Sequence, residues 1–277
     1  MGTSTTGYVE TTDGARLHTV QDGAGPDLVL LNGGASDARM WEDNLPALTR
    51  AHRVTRYDDR GAGPHSPAPQ QPWSYTDDLL AVLDALDVER PVLVGSSDGG
   101  RKALDFALAH PDRVAGLVLA GCALQLPDPD TGEQAAFDAL RAALAPRTAA
   151  VERGDTDAAL RHDLDVWAPR AAPAHRALLE RLYADSIGFL TGWNVEPLPA
   201  AEPGIEHLDR ITAPALVLIG GHDTAFTRRC ADRLTRGLPN ARRIDLPDAD
   251  HFPNLSAPDD FHRAVTAFAA GTVFAGG

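Results

Sequence analysis

Six short apolar runs, separated by stretches long enough to hold a helix, restrict what this chain can become more than any other feature. They are LVLLNGG (28–34), HRVTRYD (52–58), PVLVGSS (91–97), RVAGLVLAG (113–121), PALVLIGG (214–221) and ARRIDLP (241–247). Continuous apolar strands, buried on both faces, belong to parallel sheets covered by helices on each side. Segments near 41–50, 75–88, 98–110, 226–238 and 257–270 read as those helices. In 78–87, DLLAVLDALD, apolar residues recur at helical spacing against a charged opposite face. Ahead of the first run, GYVETTDGARLHTVQDG (7–23) reads as a hairpin that turns at Asp13-Gly14. The fold class is therefore α/β, with a mostly parallel central sheet and helices on both faces.

One region breaks the alternation. From 124 to 203 the chain offers no strand pattern, only an Ala- and Arg-rich helical pattern interrupted by prolines, entered through PDPDTGE and left through EPLPAAEPG. A connection of that length needs structure of its own. It reads as a helical insertion capping one edge of the sheet, with 1–123 and 204–277 forming the core.

Composition narrows the function classes. At 277 residues with 43% hydrophobic content, the chain can bury a large single core. A formal net charge of −14 without a basic stripe argues against a nucleic-acid partner. The opening MGTSTTGYVETTDG lacks the apolar centre of a signal peptide, and no run approaches the ~20 apolar residues of a membrane span. A cytoplasmic chain with no membrane partner is expected. Cys122 and Cys230 lie far apart without metal-ligand spacing, and no two histidines share a metal-binding motif, so buried thiols and no metal are expected. The bias to arginine, alanine and proline, with Lys102 as the only lysine, points to a GC-rich bacterial coding sequence. Oligomeric state is not readable.

The third run flows into Gly95-Ser96-Ser97-Asp98-Gly99, a G-x-S-x-G pattern between strand and helix. A tight turn there needs neighbours almost free of side chain, and it would hold the Ser97 hydroxyl exposed above the sheet. A serine hydroxyl needs a base to become a nucleophile at neutral pH. A lone histidine ordinarily reads as a loop residue, but the position of His251, after the last strand-like run and just before the final helix, favours it as the base. An acid must then fix the histidine tautomer. Asp223, directly after the run 214–221, is placed for this; Asp128, Asp248 and Asp250 are its rivals on composition. Backbone N–H groups of Gly34 and Asp98 would face a developing oxyanion, although Gly33 and Gly34 also fit an ordinary turn. The Asp98 carboxylate has Arg101 and Lys102 within reach and suits the first turn of a helix. Turned into the site, it would oppose an oxyanion and favour a protonated His251. Trp167, Tyr183, Phe189 and Trp193 are candidates for an apolar substrate lining, or for core at helical spacing.

Together these segments resemble the α/β-hydrolase superfamily, specifically its cap-bearing serine hydrolases such as esterases and lactonases. The likeness runs through LVLLNGGASDARMW (28–41), similar to the family's His-Gly loop and following Trp; RYDDRGAGPHS (56–66), similar to its Y-D-x-R-G-x-G-x-S loop; LAHPDRVAGLVLAG (108–121); LIGGHDTAF (218–226); and ADHFPN (249–254). The chain order Ser97, Asp223, His251 is the family's order. Two departures stand out: Asn32 replaces the usual histidine before the loop glycines, and Pro64 with His65 lengthen the loop after Arg60. A nucleophilic aspartate at Asp98, as in the family's epoxide hydrolases and dehalogenases, would place Ser96 where the family keeps glycine.

The resemblance implies acyl transfer to water without cofactor or metal, acting on a small, partly apolar ester or lactone. A carbon–carbon bond hydrolase, or a biosynthetic cyclase or other cofactor-free enzyme on the same fold, would keep the same three residues. A non-catalytic, receptor-like binding protein would keep the pocket but not need Ser97.

Overall fold

The computed structural model describes residues 4–193 and 195–274. Strands β1 (Thr5–Glu10) and β2 (Arg16–Gly23) form the hairpin, and β3 (Asp27–Leu31) follows. The next helical segment is a 3-10 helix, Ala38–Asn44, running into the short α1 (Leu45–Leu48), where the sequence suggests one continuous helix. Pro46 sits at the start of α1, where its missing N–H costs no hydrogen bond. The chain continues through β4 (Arg53–Tyr57), α2 (Tyr75–Ala85), β5 (Val92–Ser96), α3 (Asp98–Ala109) and β6 (Gly116–Ala120). Among the described residues no strand lies between β6 and β7 (Ala215–Gly220). That interval holds α4 (Thr131–Glu152), α5 (Thr156–Trp167), α6 (Pro173–Asp185) and α7 (Gly188–Thr191). α8 (Ala225–Gly237), β8 (Ala241–Leu246), α9 (Pro253–Ser256) and α10 (Pro258–Phe274) complete the fold.

The eight strands form one sheet in the order β1-β2-β4-β3-β5-β6-β7-β8. β1 and β2 pair antiparallel, as do β2 and β4; every other pairing is parallel. β5 lies near the middle, its Gly95 beside Leu31 of β3 and its Ser96 beside Ala120 of β6. Alternation along the central strands feeds two cores. Leu93, Leu117, Leu119 and Val217 pack with Leu83, Leu104 and Phe106 on one face. Val94, Val118, Leu216 and Leu218 pack with Trp41, Phe261 and Val265 on the other.

β8 departs from the pattern of a strand buried on both faces. It is the outer strand, with Arg242, Ile244 and Asp245 exposed, and charges on an edge discourage pairing with another chain. The prolines of the helical region also do less than their number suggests. Pro146 lies inside the 22-residue α4, where it omits one backbone bond without ending the helix. A capping box between Asp130 and Glu133 starts α4. The Glu133 carboxylate also takes two bonds from Arg233 of α8, at 2.7 and 3.0 Å, which fastens the start of the helical region to the sheet layer. Among the described residues no helix is long and apolar enough to cross a membrane.

Candidate active site

Parallel strands bring their C-terminal ends to one side of the sheet, and the loops leaving those ends make the site. Ser97 is the single residue between β5 and α3, with φ 52° and ψ −116°. A non-glycine residue in that region stores strain of about 1–3 kcal/mol and persists only where its surroundings hold it. Here the surroundings are crowded: a Cβ on Gly95 would run into the Gly99 carbonyl, and one on Gly99 into the Leu31 carbonyl. The Ser97 N–H donates to the Ala120 carbonyl at 2.8 Å, pinning the turn to β6.

The Ser97 hydroxyl lies 2.8 Å from Nε2 of His251. Nδ1 of the same ring is 3.0 and 3.1 Å from the two carboxylate oxygens of Asp223. Asp223 follows β7 and His251 follows β8, and both are almost fully buried. The Asp223 carboxylate also accepts from the Thr224 N–H at 2.6 Å. Its rivals are elsewhere. Asp128 and Asp248 are exposed, while Asp250, though buried, is occupied by the N–H groups of Arg170 and Phe252.

Gly34 and Asp98 both line the cavity over Ser97. Asp98 opens α3, so its N–H has no acceptor within the helix. Among the described residues the Gly34 N–H has no backbone acceptor either. The loop carrying Gly34 is held from below by Asn32, whose amide donates to the Tyr57 carbonyl at 2.7 Å and accepts from the Trp41 indole at 3.0 Å. Asn32 is thus a satisfied buried brace. Pro64 and His65 stay at the surface, where His65 packs on His18 with ring centroids 4.5 Å apart.

The Asp98 carboxylate is turned to two cations, Arg101 Nε at 2.7 Å and Lys102 Nζ at 3.1 Å. Burial pushes this carboxyl up, but the charges of Lys102 and Arg101 outweigh it and hold it well below the usual carboxylate range. The negative charge beside Ser97 is therefore compensated. Lys102 reaches on to buried Asp59 at 2.8 Å and lies 4.5 Å from the centre of the Tyr75 ring.

A cavity of about 230 Å³ opens from Ser97 and His251 toward the helices α4 to α7. Trp167, Tyr183 and Phe189 line it, as the sequence suggests. Trp193 is not in the lining; its indole lies against Gly61 and Gly188 and packs edge-on to Trp73 and Phe189. The Trp167 ring is centred 4.3 Å from that of His251. Two charged lining residues escape the sequence reading, Arg147 of α4 and Asp163 of α5. Asp163 shares a helix face with Trp167, four residues on, and that spacing is the one local signal of its position.

The family model for the alpha/beta hydrolase fold matches residues 26–258. A relative named "Putative carbamate hydrolase RutD", from Caulobacter sp. strain K31, is 30% identical over 275 residues, covering 94% of this chain and 97% of the relative. Among solved structures, the enol-lactonase from Burkholderia xenovorans LB400 is 28% identical with a TM-score of 0.76, over 95% of this chain and 99% of that one. An esterase from Exiguobacterium antarcticum shares the fold at 20% identity, TM-score 0.77, covering 98% and 100% of the two chains. A mostly parallel eight-stranded sheet, its loops converging on Ser97, and a family match across most of its length show that this chain belongs to the α/β-hydrolase family.

Proposed function

We propose that this protein is a serine hydrolase that cleaves a carboxylic ester or lactone of a small, partly apolar substrate. One observation carries the reading: a strained serine, at φ 52°, has its hydroxyl 2.8 Å from an imidazole whose far nitrogen is 3.0 Å from a buried carboxylate. Ser97 Oγ attacks the carbonyl carbon while His251 Nε2 takes its proton. Asp223 holds the Nδ1–H tautomer and stabilises the imidazolium. The N–H groups of Gly34 and Asp98 receive the oxyanion. Collapse of the tetrahedral intermediate breaks the bond to the alkoxy oxygen, which leaves as the alcohol by taking from His251 the proton that Ser97 gave up. Water, activated by the same imidazole, then releases the acid and restores Ser97.

The segment 124–203 serves as a cap in this reading, closing the cavity from above and supplying Trp167, Tyr183 and Phe189 to its wall. The names of the relatives, a carbamate hydrolase and an enol-lactonase, support attack on an activated carbonyl. The test is a fluorophosphonate probe followed by intact mass. One adduct on the wild type and none on Ser97→Ala is the expected result. A folded wild type that accepts neither this probe nor smaller acylating agents overturns the proposal.

A further inference from the structure

The cavity over Ser97 has an uneven polar wall. Asp163 is 3% exposed, and Arg147 Nη1 stands 3.5 Å from its carboxylate. Of the five N–H donors of Arg147, one meets Asp163 at the outer limit of a hydrogen bond, and among the described residues its Nε has no partner. The side chain lines both this cavity and the groove along α4 and is 30% exposed, so it has few protein acceptors.

The other polar groups at the cavity do not supply them. Asp98 is held by Arg101 and Lys102. The rest of the wall is largely apolar, with Ala35, Ala123, Phe189, Leu190 and Phe252. A substrate that extends from Ser97 along this wall therefore meets hydrocarbon first and a planar cation with free donors at its side.

We propose that Arg147 is the specificity-determining residue of this site and receives a carboxylate on the acyl portion, at the end remote from the scissile carbonyl. Planar guanidinium and carboxylate groups match in a two-bond geometry. The substrate class is accordingly the half-ester or lactone of a short dicarboxylic acid. This assignment rests on the hydrolase reading above.

The test compares kcat/KM, by pH-stat, for monoethyl succinate, glutarate and adipate against ethyl butyrate, valerate and hexanoate. At one chain length the half-ester should exceed its neutral counterpart by about tenfold or more, the scale of a hydrogen bond to a charged group. Arg147→Met should lower that ratio by about the same factor, with Arg147→Lys retaining part of it. The wild-type ratios read the contact without any substitution, so a poorly folding variant does not remove the test. If Ser97 takes the fluorophosphonate adduct and the neutral esters turn over, but no half-ester is preferred, the Arg147 assignment is overturned and the hydrolase reading stands. A preference that Arg147→Met leaves intact also overturns it. No turnover of any of the six together with no Ser97 adduct overturns both.

Discussion

Replacing Lys102 by methionine tests whether the charge beside Ser97 is held in check from beneath. Lys102 and Asp59 have side chains 2% and 3% exposed, with Nζ 2.8 Å from the Asp59 carboxylate and 3.1 Å from that of Asp98. Methionine keeps the length of the stem and removes the charge, leaving Asp59 buried without its cation. Breaking a buried pair from one side costs about 3–5 kcal/mol, far more than a surface pair, because the abandoned charge keeps its desolvation penalty. Equilibrium urea unfolding at pH 7 should show that loss. Adding Asp59→Asn should restore at least about 1 kcal/mol relative to the sum of the single changes, since the two residues are in contact. The remaining cation, Arg101, is shared between Asp98 and Asp105, so kcat should also fall, by about tenfold or more, as Asp98 opposes the oxyanion. Burial pulls the Lys102 ammonium down, but Asp59 and Asp98 more than reverse this, and it is held above its ordinary value of 10.5. A raised folded value means the contribution is complete below pH 10.5 and fades as the pH climbs through the folded value. Lys102→Met should therefore lose stability across the neutral range and show a shallower alkaline decline. A cost under about 1 kcal/mol, or strict additivity with Asp59→Asn, refutes the reasoning.

Two further outcomes are expected. Asp223→Asn should leave the fold intact and lower kcat on ethyl butyrate by about ten-thousandfold through loss of the correct His251 tautomer; a loss under about tenfold would remove Asp223 from the relay. Burial pushes the Cys230 thiol up to about 12 and Cys122 well above its usual value, so a disulfide reagent at pH 8 should label neither native cysteine and both in urea. Rapid labelling of the native protein would show that this part of the core opens.

Much of this site is legible in the sequence because two kinds of constraint coincide there. Around Ser97, an apolar strand that buries both faces and glycines that admit no Cβ each restrict the residues allowed, and they meet in one pentapeptide. Asp223 and His251 are readable from position, since each follows a strand-like run and parallel strands gather their C-terminal ends. β8 is misread as buried on both faces because short strands with apolar residues look alike until their place in the sheet is known; ARRIDLP falls at the edge. The cavity wall is less legible. Trp167 and Trp193 carry the same sequence signal, yet one faces His251 and the other packs between Gly61 and Gly188. Arg147 and Asp163 are hidden for a related reason. In helices rich in charge, the pair that turns inward is distinguished by how α4, α5 and α6 settle on one another, which spacing along the chain does not encode.

The position of Trp167 ties substrate choice to proton transfer in the proposed mechanism. Arg147 of α4 meets Asp163 of α5 at 3.5 Å, and one turn further along α5 the Trp167 ring lines the cavity, centred 4.3 Å from the imidazole that would accept and return the proton. In that mechanism the roof over the cavity would be part of the bearing on which the base turns. Loosening the roof to admit a larger acyl group would give the imidazole more play, so changes that widen the range of substrates should slow the chemical step together with altering KM.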